Sequence, residues 1–112
     1  MKTAAERGGW EASVSGMEEA KVLGVRARVA RTFLQRSRGL IGRPPPPHGE
    51  GMLITKCSAI HTFFMSYPID ATFIDSAGRP VRTVRDIPPW RPFVWGGLRA
   101  RAVLETAAAG KR

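Results

Sequence analysis

Residues Ile69 to Asp86, IDATFIDSAGRPVRTVRD, constrain the fold more than any other stretch of the chain. Ile69, Ala71 and Phe73 fall on one side of an extended segment, and Asp70 and Thr72 on the other. That period of two is the signature of a half-buried strand. Asp75-Ser76-Ala77-Gly78 then supplies turn chemistry. Asp can accept backbone N–H groups at the opening of a turn, and Gly tolerates the positive φ that closes it. Pro80 to Asp86 reads as the returning strand, with Val81 and Thr83 opposite Arg82 and Val84. A hairpin alone is marginal in water, so the rest of the chain must cover its apolar face.

The remaining segments read as short elements. Lys21 to Ala30 alternates, with Leu23, Val25, Ala27 and Val29 on one face and Gly24, Arg26 and Arg28 on the other, and is expected to be one strand. The period changes at Thr32 to Ile41. Thr32 and Gln35 have the spacing of a capping box, Phe33, Leu34, Leu40 and Ile41 are expected to share one helical face, and Gly42 can close the helix. Pro44 to Pro47 exclude an interior helix or a central strand. They form either a rigid surface connection or a polyproline II arm for a proline-binding partner. Met52 to Lys56 and Ala102 to Thr106 read as strands, and Trp90, among prolines, as a plug over one end of the core. Nine Pro and 12 Gly in 112 residues favour many turns over a helical bundle. The expected fold is mainly β (α+β): a compact antiparallel β sandwich or barrel-like domain over residues 21–112, with one short helix near its start. Residues 1–20 are expected to be a flexible tail, with Met17 an alternative start and Trp10 either unanchored or docked.

The formal net charge is +9. Fourteen of the basic residues are Arg, scattered along the chain, which a GC-rich coding background alone can produce. A basic face for nucleic acid is a second alternative reading, but no nucleic-acid motif accompanies it, so nucleic acid is not an expected partner. One cysteine excludes an internal disulfide. The N-terminus lacks the apolar core of a signal peptide, and no segment approaches the roughly 20 apolar residues of a membrane span. The expected location is cytoplasmic.

Chemistry concentrates between Cys57 and Asp75. Cys57, His61 and Met65 are spaced by four. On a straight strand Cys57 and His61 would stand about 13 Å apart, too far to share a metal. On a turn they would come within about 6 Å of one another. Thiolate, imidazole and thioether would then suit Cu(I), or Zn²⁺ with Asp70 or His48 added. Cys57 and His61 also form a possible nucleophile and base. Against these stand a small buried Cys57, a core Met65 and a His61 bonded to backbone. No cofactor is expected, and a metal is the exception left open. Asp70 is expected to accept backbone N–H groups at its bend, or to pair with Arg38 or Arg43. Arg38, Arg43 and His61 are candidates to line a pocket for an anionic ligand, with Trp90 and Phe64 as apolar walls.

Several of these residues fall in recognisable short motifs. Arg38-Gly39-Leu40-Ile41-Gly42-Arg43 resembles the RGLMGR element of the domain-of-unknown-function family 192. Gly51-Met52-Leu53 is similar to its GML element, and Ile60 to Met65, Pro68-Ile69-Asp70 and Phe73-Ile74-Asp75 to its H-T-x-x-M, P-I-D and F-x-D core. Val103-Leu104-Glu105 with Ala109-Gly110 is similar to its closing element. The resemblance covers roughly residues 22–110 and implies a compact, mostly antiparallel β structure with a short helix near the start. It implies no reaction. It also implies a further segment ending in a Gly-Asp strand, where here only Lys111 and Arg112 follow.

The functional expectation is a non-catalytic binding or accessory module. Its groove would lie near His61, Met65, Asp70 and Trp90, with Arg38 and Arg43 as further ligand-binding candidates. Its partner would be a small ligand or a peptide or protein, which a strand edge could also recruit by strand addition. The alternative is a small metal- or thiol-dependent protein using Cys57 and His61.

Overall fold

A computed structural model of the chain describes residues 4–109. It begins with helix α1 (Ala4–Ser13), strands β1 (Glu18–Val22) and β2 (Val25–Ala30), and helix α2 (Phe33–Arg38). Strands β3 (Glu50–Thr55), β4 (Ala59–Ile60), β5 (Ile69–Ile74), β6 (Pro80–Ile87), β7 (Val94–Trp95) and β8 (Ala102–Ala107) follow. Among the described residues the main sheet has six strands in the order β1-β2-β3-β8-β5-β6, and β4 and β7 pair separately. The fold is mainly β, as expected. The sheet is mixed rather than wholly antiparallel, because β2 and β3 run parallel. A parallel pair needs a crossover, and α2 with the proline segment supplies it.

The β5–β6 hairpin forms where the sequence places it. Asp75 Oδ1 accepts the N–H groups of Ala77 and Arg79, both at 2.9 Å, and Gly78 has φ +81°. The alternation expected for β6 fails, since Val81 and Val84 both pack partly against the core. The cause is two register shifts. Ala71 faces Val84 while Ile69 faces Ile87, and Phe73 faces Arg82 while Ile74 faces Pro80. Each bulge re-aims the side chains beyond it.

Helix α2 also starts as its sequence dictates. Thr32 Oγ1 accepts the Gln35 N–H at 3.1 Å, and Gln35 Oε1 accepts the Thr32 N–H at 3.2 Å. The helix stops at Gly39 rather than Gly42. That early stop breaks the expected apolar face: Leu40 is buried, but Phe33 and Leu34 are left exposed. Residues 21–30 likewise form a hairpin, not one strand. Leu23 and Gly24 both take positive φ, at 50° and 79°, the geometry of a two-residue type I′ connection.

Among the described residues, 4–20 depart most from expectation. In place of a loose tail, Trp10 of α1 and Val14 just after it, both fully buried, dock into the core. The two are four residues apart and so share a helix face. Trp10 Nε1–H donates to Glu50 Oε1 at 3.1 Å. The carbonyls left open at the end of α1 are taken by arginines: Arg43 donates to the Ser13 carbonyl, and Arg28 to those of Val14 and Met17. Two apolar residues give too weak a periodicity for a helix to be read, because the docking partners lie far along the chain. The proline segment is likewise tied down, with Pro46 and Pro47 buried.

Candidate functional site

A cleft of about 200 Å³ opens between the end of α2 and the segment after β3. Leu40, Ile54, Ile60, Met65 and Ile69 form its apolar wall, and Arg36, Arg38, Cys57, His61 and Glu105 supply its polar groups. Elements far apart in sequence build it. Arg36 and Arg38 come from α2, residues 39–41 from the turn after it, His61 and Met65 from the β4–β5 connection, and Glu105 from the middle of β8.

Thr62 fixes the connection. Its hydroxyl donates to the Pro88 carbonyl at 2.6 Å and accepts the Arg91 N–H at 2.8 Å. Its carbonyl accepts the N–H groups of Met65 and Trp90, and its own N–H donates to Arg91. One buried threonine thus clips residues 61–65 to residues 88–91. This clip turns the chain between Cys57 and Met65, so all three residues spaced by four reach the same cleft.

Their chemistry there is specific. The Cys57 thiol donates to the Ala59 carbonyl at 3.1 Å. Burial pushes its pKa up, so it is held as a thiol and is a weaker nucleophile than an exposed cysteine. His61 Nδ1 accepts the Phe63 N–H at 3.1 Å, which places the proton of the neutral ring on Nε2. Among the described residues no group of three or more His, Cys, Asp and Glu side chains is arranged to hold a metal ion.

Glu105 is the residue that sequence reasoning passed over. Its side chain is 4% exposed. Among the described residues no hydrogen bond or ion pair holds its carboxylate, and its oxygens reach the solvent of the cleft, since no fully enclosed side-chain oxygen or nitrogen lacks a partner. Burial alone pushes its pKa up from 4.5 to about 7. Gly39 makes room for it: a Cβ there would stand 3.3 Å from Glu105 Oε1 and 3.2 Å from Ile54. The signal was in the strand itself. Glu105 is two residues from Val103, so both face the same side of β8, and Val103 is fully buried.

The arginines at the cleft are partly engaged. Arg36 donates Nε to the Thr55 carbonyl at 2.8 Å and Nη2 to that of Lys56 at 2.7 Å, tying α2 to the end of β3. Arg38 donates Nε to the Ile41 carbonyl at 2.9 Å. Arg43 stands apart, buried against Gly39 and the end of α1. Burial lowers its pKa below the usual guanidinium value, and the Arg38 charge adds to this.

Asp70 does not join this cleft, nor does it pair with Arg38 or Arg43. Its carboxylate accepts the Asp86 N–H at 2.8 Å and lies 3.8 Å from Arg85. The bulged hairpin turns it toward a second depression, shared with His48 and Arg85. Trp90 is 58% exposed rather than a plug over the core. Its ring meets that of Phe64 edge-on at 4.8 Å, on the outer side of the residues 61–64 loop.

A family model described as "Uncharacterized ACR" (DUF192) matches residues 15–110. A "UPF0127 protein" of Thermococcus sibiricus is 37% identical over 90 residues, which cover 77% of this chain and 57% of that protein. The chain therefore matches little more than half the length of this curated relative. Two solved structures share the fold. One is a protein of unknown function from Novosphingobium aromaticivorans, with TM-score 0.68 and 20% identity over 97% of this chain and 88% of that one. The other is described as a putative transcription regulator from Sinorhizobium meliloti, with TM-score 0.69 and 22% identity over 75% of this chain and 69% of that one.

Proposed function

The chain belongs to the DUF192 family, and we propose that it is a non-catalytic binding module whose ligand is a small molecule held in the cleft at Glu105. The observation that carries this reading is Glu105, a residue almost wholly buried whose carboxylate opens on the cleft and is held by no hydrogen bond or ion pair among the described residues. An unpaired buried carboxylate is costly. A cleft that keeps one open to an incoming group is a binding site in waiting, with apolar walls and few polar groups. The motifs that carry the family resemblance support the same reading. Arg38, Gly39 and Leu40, then His61 and Met65, then Ile69, and finally Glu105 all line this one cleft.

The test is methyl NMR on protein labelled at Ile, Leu and Met, titrated with a small-molecule library sorted by charge. The reading expects shifts concentrated at Leu40, Ile54, Ile60, Met65 and Ile69. A library whose members shift none of these methyls, or shift only methyls elsewhere, would overturn it.

A further inference from the structure

Resting on that reading, we infer that the cleft takes a short linear zwitterion, an ω-amino acid in type, with its ammonium on Glu105 and its anionic end at Arg38. The polar groups of the cleft are bipolar. Glu105 is a buried acceptor that lacks a donor, and Arg36 and Arg38 bring positive charge to the same cleft. Arg36 spends Nε and Nη2 on two backbone carbonyls. Arg38 is exposed and spends only Nε, so among the described residues its terminal nitrogens remain open to an anion. A simple anion would meet the Glu105 carboxylate, and a simple cation would meet the arginines. A molecule with opposite charges at its two ends satisfies both. Leu40, Ile54, Ile60, Met65 and Ile69 suit an aliphatic body between those ends. The volume of about 200 Å³ is below the roughly 300–1,000 Å³ of pockets for drug-sized ligands, which fits a molecule of amino-acid size.

The inference also fixes a pH dependence. The groups that feel the Glu105 charge are Cys57 and Tyr67, both with pKa raised chiefly by burial and so protonated near neutrality, and His61, Arg36 and Arg38 line the same cleft. Ammonium binding needs ionised Glu105, so affinity rises as pH rises through about 7.

The experiment is calorimetry with 5-aminovalerate, butylamine, butyrate and the neutral valeramide at pH 6 and pH 8. Methyl NMR locates each binder, and the proteins are the parent, Glu105→Gln, Arg38→Gln and His61→Gln. The expected result is that 5-aminovalerate binds at the cleft methyls, about tenfold more tightly at pH 8 than at pH 6. Butylamine binds more weakly, and butyrate and valeramide do not bind. Glu105→Gln abolishes both binding and its pH dependence, Arg38→Gln reduces 5-aminovalerate binding to the level of butylamine, and His61→Gln keeps the pH dependence. Binding of butyrate or valeramide at the cleft with equal affinity would overturn the inference while sustaining the cleft as a ligand site. Affinity that falls as pH rises would do the same. No shift at the cleft methyls with any of the four would also overturn it, and the wider library then decides the site separately.

Discussion

Substituting Glu105→Gln removes a titratable group from the cleft while keeping its size and shape. The carboxyl has a pKa of about 7 in the folded protein against 4.5 for an ordinary glutamate. At 1.36 kcal/mol for each pH unit, that rise amounts to roughly 3 kcal/mol. The sign follows from the direction. A carboxyl raised on folding contributes stability that is fully present below about pH 4.5 and is lost as pH rises through about 7. The parent must therefore give up about 3 kcal/mol between pH 4.5 and pH 8 that the variant keeps. Urea denaturation of both proteins at a series of pH values measures this, because other titrating groups are common to both and cancel in the difference. The variant should gain on the parent by about 3 kcal/mol from pH 4.5 to pH 8, with the change spread between about pH 4.5 and pH 7 and levelling off above it. A difference that stays flat with pH, or that moves in favour of the parent, would refute the claim that burial in the cleft disfavours the ionised carboxylate.

Other substitutions test how the cleft is supported. Trp10→Ala should cost about 3–5 kcal/mol in denaturant unfolding, because it leaves a cavity in the core and strips Glu50 of a donor. The same variant should lose the most blue-shifted tryptophan emission, since Trp90 and Trp95 are both exposed. Thr32→Ala should cost about 1 kcal/mol by removing the capping box of α2, measured by the same unfolding curves. Gly96→Ala should be destabilising by at least about 2 kcal/mol, because its Cβ would stand 2.3 Å from the buried Phe73 ring. Alkylation of Cys57 by iodoacetamide at pH 8 should be slower in the folded protein than in urea, since burial keeps the thiol protonated.

The parts of the fold that were legible in the sequence are those decided locally. The Asp75 turn, the Thr32–Gln35 box and the alternation of β5 each depend on residues a few positions apart. What was missed depends on distant partners or on backbone choices with weak side-chain signatures. Leu23 in a positive-φ turn position gives no such signature, so one strand was read where two occur. Docking of α1 needs Glu50 and Arg43, from other parts of the chain. Phe33 and Leu34 look like core residues until Gly39 ends the helix before they can turn inward.

The candidate site divides the same way. The spacing of Cys57, His61 and Met65 left a straight or a turned geometry open, and the Thr62 clip turns the chain so that all three line one cleft. Asp70 seemed the natural carboxylate for the site, but its hairpin turns it to Arg85. In the sequence Glu105 is simply part of a short last strand, with nothing that singles it out. Its strand instead runs in the middle of the sheet, between β3 and β5, and that position buries it.

The central claim is that Glu105 is a partnerless carboxyl waiting for a cationic group. Carbon-13 NMR of its side-chain carboxyl, followed through a pH titration with and without 5-aminovalerate, tests it most directly. The account predicts a midpoint near 7 in the free protein that falls when the ligand is present, because a bound ammonium favours the ionised form. A midpoint near 4.5 that the ligand leaves unmoved would contradict it.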